Sequence, residues 1–448
     1  MNGLSKLLSL SAVFSLAACG GGGGSPSPVL PPPPPPPPPP IVVADWQTFQ
    51  GDAAHTAHVD ASYKVSAFSQ AWTWTMPSGT RNWMNLVATG AGRIYVTEDA
   101  QQSHLYALDE TTGTLAWSMQ FVDSIETGGP AYANGLVYVT AQTGVELGSG
   151  WSADLHVVNA ASGIETATPG VHSQMGRFFP VTPFKTAIYS SNDDYFSVNG
   201  VGPYYGTELT SFSADGSTRN WIKYQRLSES YTSQSVAVDD DHVYFYRSHS
   251  SGGLSNALVV LDRSSGTPLE EIADPRNQYT DYDYDGAPMI SSAGHVIAFS
   301  DGQFLTSVSL EENVHPRVLI RYDIAAGTMD WTTAAEYITA PAVSQGRVFA
   351  ASNTVNRMDA IDEQSGSVQW SWPAPAGETF IRNIVAANNL VFVSTDRAVY
   401  AIDMATHQQA WSIAVPGGLS IASLKYLLIA SPARRDNAPA TLTAIRLS

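Results

Sequence analysis

The sequence predicts an all-β fold, an eight-bladed β-propeller of four-stranded antiparallel blades closed by strands from both chain ends, with seven blades as the alternative count. Three observations predict it. A short phrase recurs with fixed spacing, and apolar and polar residues alternate with period two around it. Near the N-terminus, a lone copy of the end of that phrase supplies the strand that the C-terminus lacks.

The phrase runs from an Asp to a Trp. Asp109-Glu-Thr-Thr-Gly113 leads to Trp117, Asp323-Ile-Ala-Ala-Gly327 to Trp331, Asp362-Glu-Gln-Ser-Gly366 to Trp370 and Asp403-Met-Ala-Thr-His407 to Trp411, each Asp and Trp being eight positions apart. Ala214-Asp215-Gly216 leads more loosely to Trp221, and two copies lose the Trp, ending at Ala167 and Glu270. The Asp carboxylate is suited to accept backbone N–H groups of a tight turn, and the Gly supplies positive φ. The Trp is a broad flat filler between neighbouring sheets. These residues read as structural, and none is a catalytic candidate.

In chain order, residues 1–18 read as an export signal, with Lys6 before an apolar run from Leu7 to Leu16 that is too short to span a bilayer. The run ends Leu16-Ala17-Ala18-Cys19, which resembles a bacterial lipoprotein signal and marks Cys19, the single cysteine, for acylation. In such lipoproteins Gly20 favours the outer membrane, so the expectation is a lipid-anchored protein with its body in the periplasm or at the cell surface. Residues 19–44 read as a Gly/Pro-rich tether, and Pro31 to Pro40 as polyproline helix extending roughly 30 Å. Residues 45–448 form the body. Seven repeats begin near Leu86, Gly128, Pro180, Ser233, Asp285, Thr339 and Arg382, and Gln70-Ala-Trp72-Thr-Trp74 matches Val368-Gln-Trp370-Ser-Trp372, which predicts an eighth sheet built from both termini. Closing the ring removes free sheet edges. A net charge of −18 argues against nucleic acid as a partner.

The tandem Ala-x-Asp-x-x-Thr/Ser-Gly-x-x-x-Trp repeats, with the leader Asp45-Trp46-Gln-Thr-Phe49-Gln-Gly51-Asp52-Ala-Ala-His55-Thr56, resemble the pyrroloquinoline-quinone (PQQ)-type repeat propellers. That family includes quinoprotein dehydrogenases, with quinone and Ca²⁺ in the central channel. It also includes a non-catalytic lipoprotein subunit of the outer-membrane β-barrel assembly machine. The resemblance implies either class. Many quinoprotein alcohol dehydrogenases carry an adjacent cysteine pair that this chain lacks, and the family's calcium ligands have no residue-by-residue match here.

Other motifs are weaker. Asp281-Tyr-Asp283-Tyr-Asp285-Gly286 resembles the first half of a calcium loop, but Ser292 stands where the bidentate Glu belongs. His55 and His58 lack further ligands at suitable spacing for zinc and read as turn or packing residues. No metal site and no catalytic residue is assigned. The candidate channel-mouth and partner residues are Arg81, Trp83, Asn85, Arg177, Phe178, Gln234, Asp283, Asp285, Arg382 and Asn383, because arginine with aromatic residues near inner strands is the composition of binding hot spots. Insertions at Gly144 to Trp151, Tyr195 to Thr207 and Phe304 to His315 are expected to project. The expectation is a membrane-anchored scaffold without cofactor, whose partners are envelope or outer-membrane proteins and, through Cys19, the bilayer. The alternative is a periplasmic PQQ-dependent oxidoreductase using quinone and calcium, and a glycan-binding adhesin is a third reading.

Overall fold

The computed structural model describes residues 45–77, 83–84, 87–99, 102–143, 152–171, 180–198, 201–225, 235–247, 256–276, 287–300, 317–431 and 439–448. Eight antiparallel sheets stand in a ring, as an eight-bladed propeller. In blade 6 the strands are Ala342–Ser344, Arg347–Ser352, Arg357–Asp362 and Val368–Pro373, from channel to rim. The two middle strands are almost wholly buried, whereas the rim strand is largely exposed. Buried faces of adjacent blades then pack on each other, which is how a sheet buries both sides.

Blade 8 joins the two ends of the chain. Its rim strand is Ser69–Thr75, which pairs antiparallel with Thr441–Arg446 and places Trp72 opposite Ala444 and Trp74 opposite Leu442. The two inner strands, Gly418–Ala422 and Tyr426–Ser431, come from the C-terminal end. The predicted closure and the count of eight both hold.

At four junctions one blade is tied to the next by its repeat turn. Within the turn, Asp109 Oδ1 accepts the N–H groups of Thr111 and Thr112, and Asp362 Oδ1 accepts that of Ser365. The hydroxyls of Thr112 and Ser365, which also donate to these carboxylates, and then the backbone bonds hold both carboxyls below the usual range. Between blades, the indole Nε1 donates to a carbonyl in the following blade's turn: Trp72 to Glu110, Trp117 to Ala160, Trp221 to Arg263 and Trp331 to Glu363, at 2.9–3.0 Å. The ring lies on that turn's glycine, so close that a Cβ on Gly113, Gly163, Gly266 or Gly366 would come within 2.5–2.7 Å of it. The glycine therefore serves two ends, positive φ for the turn and clearance for the neighbour's indole.

The exceptions keep the same slot. His407 replaces the glycine in blade 7 at φ 60°, and its ring stacks on Trp370 with centroids 4.5 Å apart. Trp411 meets Phe68 edge-on instead. In the two repeats without Trp, Ala167 lies beside Gly216, and the Glu270 carboxylate lies against Gly327.

Candidate functional site

Among the described residues, the leader carries a run of polar side chains and bonds to the inner parts of successive blades. Starting at Trp46, the chain circles the channel axis and meets the inner strands in blade order. Thr89 of blade 1 donates its N–H to Trp46 O, Tyr132 of blade 2 to Gln47 O, Val238 of blade 4 to Ala53 O, Ile290 of blade 5 to Ala54 O, Val343 of blade 6 to Thr56 O and Ala386 of blade 7 to Ala57 O. Thr48 Oγ1 reaches blade 3 by donating to Val181 O at 2.7 Å. The inner strand of a propeller has no sheet neighbour on its channel side, so its amides need such a partner.

A circle this tight needs unusual backbone. Gln50, Gly51, His55 and Ala57 all have positive φ, between 50° and 95°. The loop also bonds to itself: Gly51 O accepts Gln47 N–H, Gln50 O accepts Ala57 N–H, and both Asp52 carboxylate oxygens accept from Thr56. Burial pushes the Asp52 carboxyl up, and the bonds from Thr56 oppose that shift. Trp46 and Phe49, each 4% exposed, anchor the loop by apolar burial.

His55 is a hub residue. It is 1% exposed, its Nδ1 lies 3.0 Å from Pro288 O in the approach to blade 5, and its Nε2 lies 3.4 Å from Thr182 Oγ1 in blade 3. Burial lowers its pKa to about 4. His58 faces elsewhere, with Nε2 3.2 Å from Asn388 Oδ1. The two histidines thus bond to different parts of the ring and do not converge.

Asn383 completes the circle at blade 8. It lies in a bulge of the inner strand Phe380–Ala386, where the register slips between Ile381 and Ile384. Its Nδ2 donates to Gln50 Oε1 and to Leu419 O, both at 2.9 Å, and its Oδ1 accepts Leu419 N–H at 2.8 Å. The residue is 2% exposed, so its amide is committed within the ring. Arg382, the other bulge residue, has φ 66°, and its carbonyl accepts Ala340 N–H. Gln50 Nε2 donates to Pro341 O of the neighbouring connection. Among the described residues, a crevice at the hub with room for about one water molecule is lined by Trp46, Gln50, Val87, Asn383, Gly418, Leu419 and Ser420.

Of the other residues singled out in the sequence, Trp83 lies in the short strand Trp83–Met84, which adds to the edge of Arg93–Asp99 with Trp83 opposite Asp99. Arg81, Asn85, Arg177, Phe178, Gln234, Asp283, Asp285 and Cys19 lie outside the described residues, as do the insertions 144–151 and 304–315. The hub residues Thr48 and Gln50 were not singled out. The available signal was the density of small and polar residues in Thr48–Thr56, a composition suited to positive φ and backbone capping.

The described hub does not fit a quinone–calcium pair. Its carboxylate, Asp52, accepts from Thr56, and the amides of Gln50 and Asn383 are committed to each other, to the Pro341 carbonyl and to the Leu419 backbone. Among the described residues no three His, Cys, Asp or Glu side chains come together as metal ligands.

A family model described as outer membrane protein assembly factor BamB matches residues 62–166 and 290–425, more than half of the 448 residues. No curated protein matches the chain. Among solved structures, BamB from Moraxella catarrhalis is similar with a TM-score of 0.56 at 13% identity, covering 85% of this chain and 99% of that one. Quinohemoprotein alcohol dehydrogenase from Comamonas testosteroni is similar with a TM-score of 0.62 at 14% identity, covering 90% of this chain and 80% of that one. At such identities each likeness is one of fold, and a propeller fold hosts many functions.

Proposed function

Because this chain belongs to the family of outer membrane protein assembly factor BamB, we propose that its propeller is a non-catalytic binding module of the bacterial envelope, working at the outer membrane with envelope or outer-membrane proteins as partners. The family match carries this reading. The described hub supports it, since the Asp52 carboxylate and the Asn383 amide are committed to Thr56, Gln50 and Leu419. Residues 1–18 are the signal, Cys19 is the acylated anchor, 19–44 is the tether and 45–448 is the propeller. The Leu16-Ala17-Ala18-Cys19 sequence and the net charge of −18 support a lipid anchor and a protein partner over nucleic acid.

The test is photo-crosslinking of the full-length chain in the cells that make it, beside a Cys19→Ala variant. The expected result is a discrete set of envelope-protein adducts in the membrane fraction, with the Cys19→Ala body released to the soluble fraction. An intact chain that is soluble and forms no adduct would contradict the reading.

A further inference from the structure

We propose that the junction between blades 4 and 5 is a binding notch for an arginine side chain of a partner protein, formed by the Glu270 carboxylate, the backbone of Gly327 and the Ile324 carbonyl. This rests on the partner-binding reading above and gives it a contact of defined chemistry.

The fold shows four times what such a junction accepts. An indole lies flat on the turn glycine of the following blade and donates Nε1–H to the carbonyl three residues before that glycine: Glu110 O before Gly113, Ala160 O before Gly163, Arg263 O before Gly266 and Glu363 O before Gly366. The slot therefore calls for a flat group with an N–H at its edge. Ile324 holds the same place before Gly327 in blade 5.

The two junctions whose rim strand lacks the Trp differ. Between blades 2 and 3, Val157, Ala167 and Pro169 lie over Gly216, and the turn carbonyl of Ala214 accepts the Tyr138 hydroxyl at 2.7 Å. That slot is filled from within. Between blades 4 and 5, Glu270 stands opposite Val260, the register position that Trp117 holds opposite Ala107 and Trp331 opposite Arg321. Its carboxylate lies on Gly327, as the indoles lie on their glycines. Among the described residues no hydrogen bond reaches Ile324 O or the Glu270 carboxylate. Glu270, Ile324 and Gly327 are all partly exposed. The notch thus offers three acceptor oxygens, two of the carboxylate and one of the carbonyl, in a slot shaped for a flat donor. A guanidinium is the complement: it is planar, it carries N–H groups at its edge, and its charge matches the carboxylate. A lysine ammonium matches the charge but not the shape. Leu269, 56% exposed next to Glu270, leaves apolar surface at the same rim, and the net charge of −18 favours a basic partner segment.

The probe is a fluorescent peptide, Gly-Ser-Leu-Arg-Leu-Ser-Gly, titrated against the full-length protein in detergent at low salt, beside peptides with Lys or citrulline in place of the Arg. Glu270→Trp restores the repeat residue and fills the slot from within, and thermal unfolding at or above the parental temperature checks that the ring is whole. Glu270→Gln keeps the side-chain shape, removes the charge and serves where the Trp variant fails to fold. The expected result is saturable binding of the Arg peptide that weakens about tenfold with Lys or citrulline and about tenfold in either Glu270 variant. No binding by the parent, equal binding of the Lys peptide, or unchanged binding by the folded variants would each overturn the proposal. Envelope crosslinks that persist unchanged in Glu270→Trp would overturn it while leaving the partner-binding reading in place.

Discussion

The indole of Trp331 lies flat on the backbone of Gly366 in the next blade, with Nε1 2.9 Å from Glu363 O and Cδ2 only 2.7 Å from where a Cβ on Gly366 would stand. Gly346, in the turn between the first two strands of the same blade, has the same φ of +69° and nothing within 4 Å of its Cβ position. The pair separates backbone strain from steric displacement. Gly346→Ala is expected to cost about 1 kcal/mol, the left-handed penalty. Gly366→Ala adds displacement of a packed indole and is expected to cost about 3 kcal/mol. Urea unfolding of both variants checks the difference, and equal losses would mean that the indole gives way freely.

His55 makes the hub sensitive to acid. Burial keeps it neutral in the folded ring down to pH about 4, whereas in the unfolded chain it takes up a proton below about pH 6.5. Between those values the unfolded state binds more protons, so stability falls as pH falls, by roughly 3 kcal/mol across the window. His55→Asn keeps a residue that tolerates the φ of 59° and removes the titration. Its stability is expected to be flatter than the parent's between pH 7 and 4, measured by denaturant midpoint at each pH. Parallel profiles would place the acid sensitivity elsewhere.

Asn383 links the leader, blade 7 and blade 8 through a single amide. Asn383→Ala leaves Gln50 Oε1 and both backbone groups of Leu419 without this partner in a buried site, at an expected cost of about 2–4 kcal/mol. Asn383→Asp keeps an acceptor for Leu419 N–H but offers no donor to Gln50 Oε1 or Leu419 O. It is expected to be at least as destabilising at pH 7. Thermal and urea unfolding check both variants, and an Asp variant as stable as the parent would contradict the bonding described for the amide.

The blades were legible in the sequence because their information is local. The Asp-to-Gly turn, the alternation and the eight-residue interval to Trp are all held within one repeat, and Trp72 and Trp74 expose the closure by matching Trp370 and Trp372. What joins the blades was less legible. That Gly366 makes room for Trp331, or that Glu110 receives the Ser423 hydroxyl of blade 8, depends on which turn meets which rim strand. The leader was recognisable as a family opening, but its course around the axis is set mostly by backbone contacts, to six of the blades, and a backbone contact leaves little trace in side-chain pattern. In the sequence Asn383 reads as a channel-mouth residue beside Arg382. The bulge that turns its side chain into the hub follows from register, which the residue order alone does not specify.

The most direct test of the account is to incubate the purified full-length protein with pyrroloquinoline quinone and Ca²⁺, remove unbound ligand, and record the absorption spectrum, the calcium content and alcohol-dependent dye reduction. A hub filled by Trp46 to Ala57 and closed by Asn383 predicts a colourless protein without stoichiometric calcium or dye reduction. A stoichiometric quinone with calcium and alcohol-dependent reduction would contradict the binding-module reading.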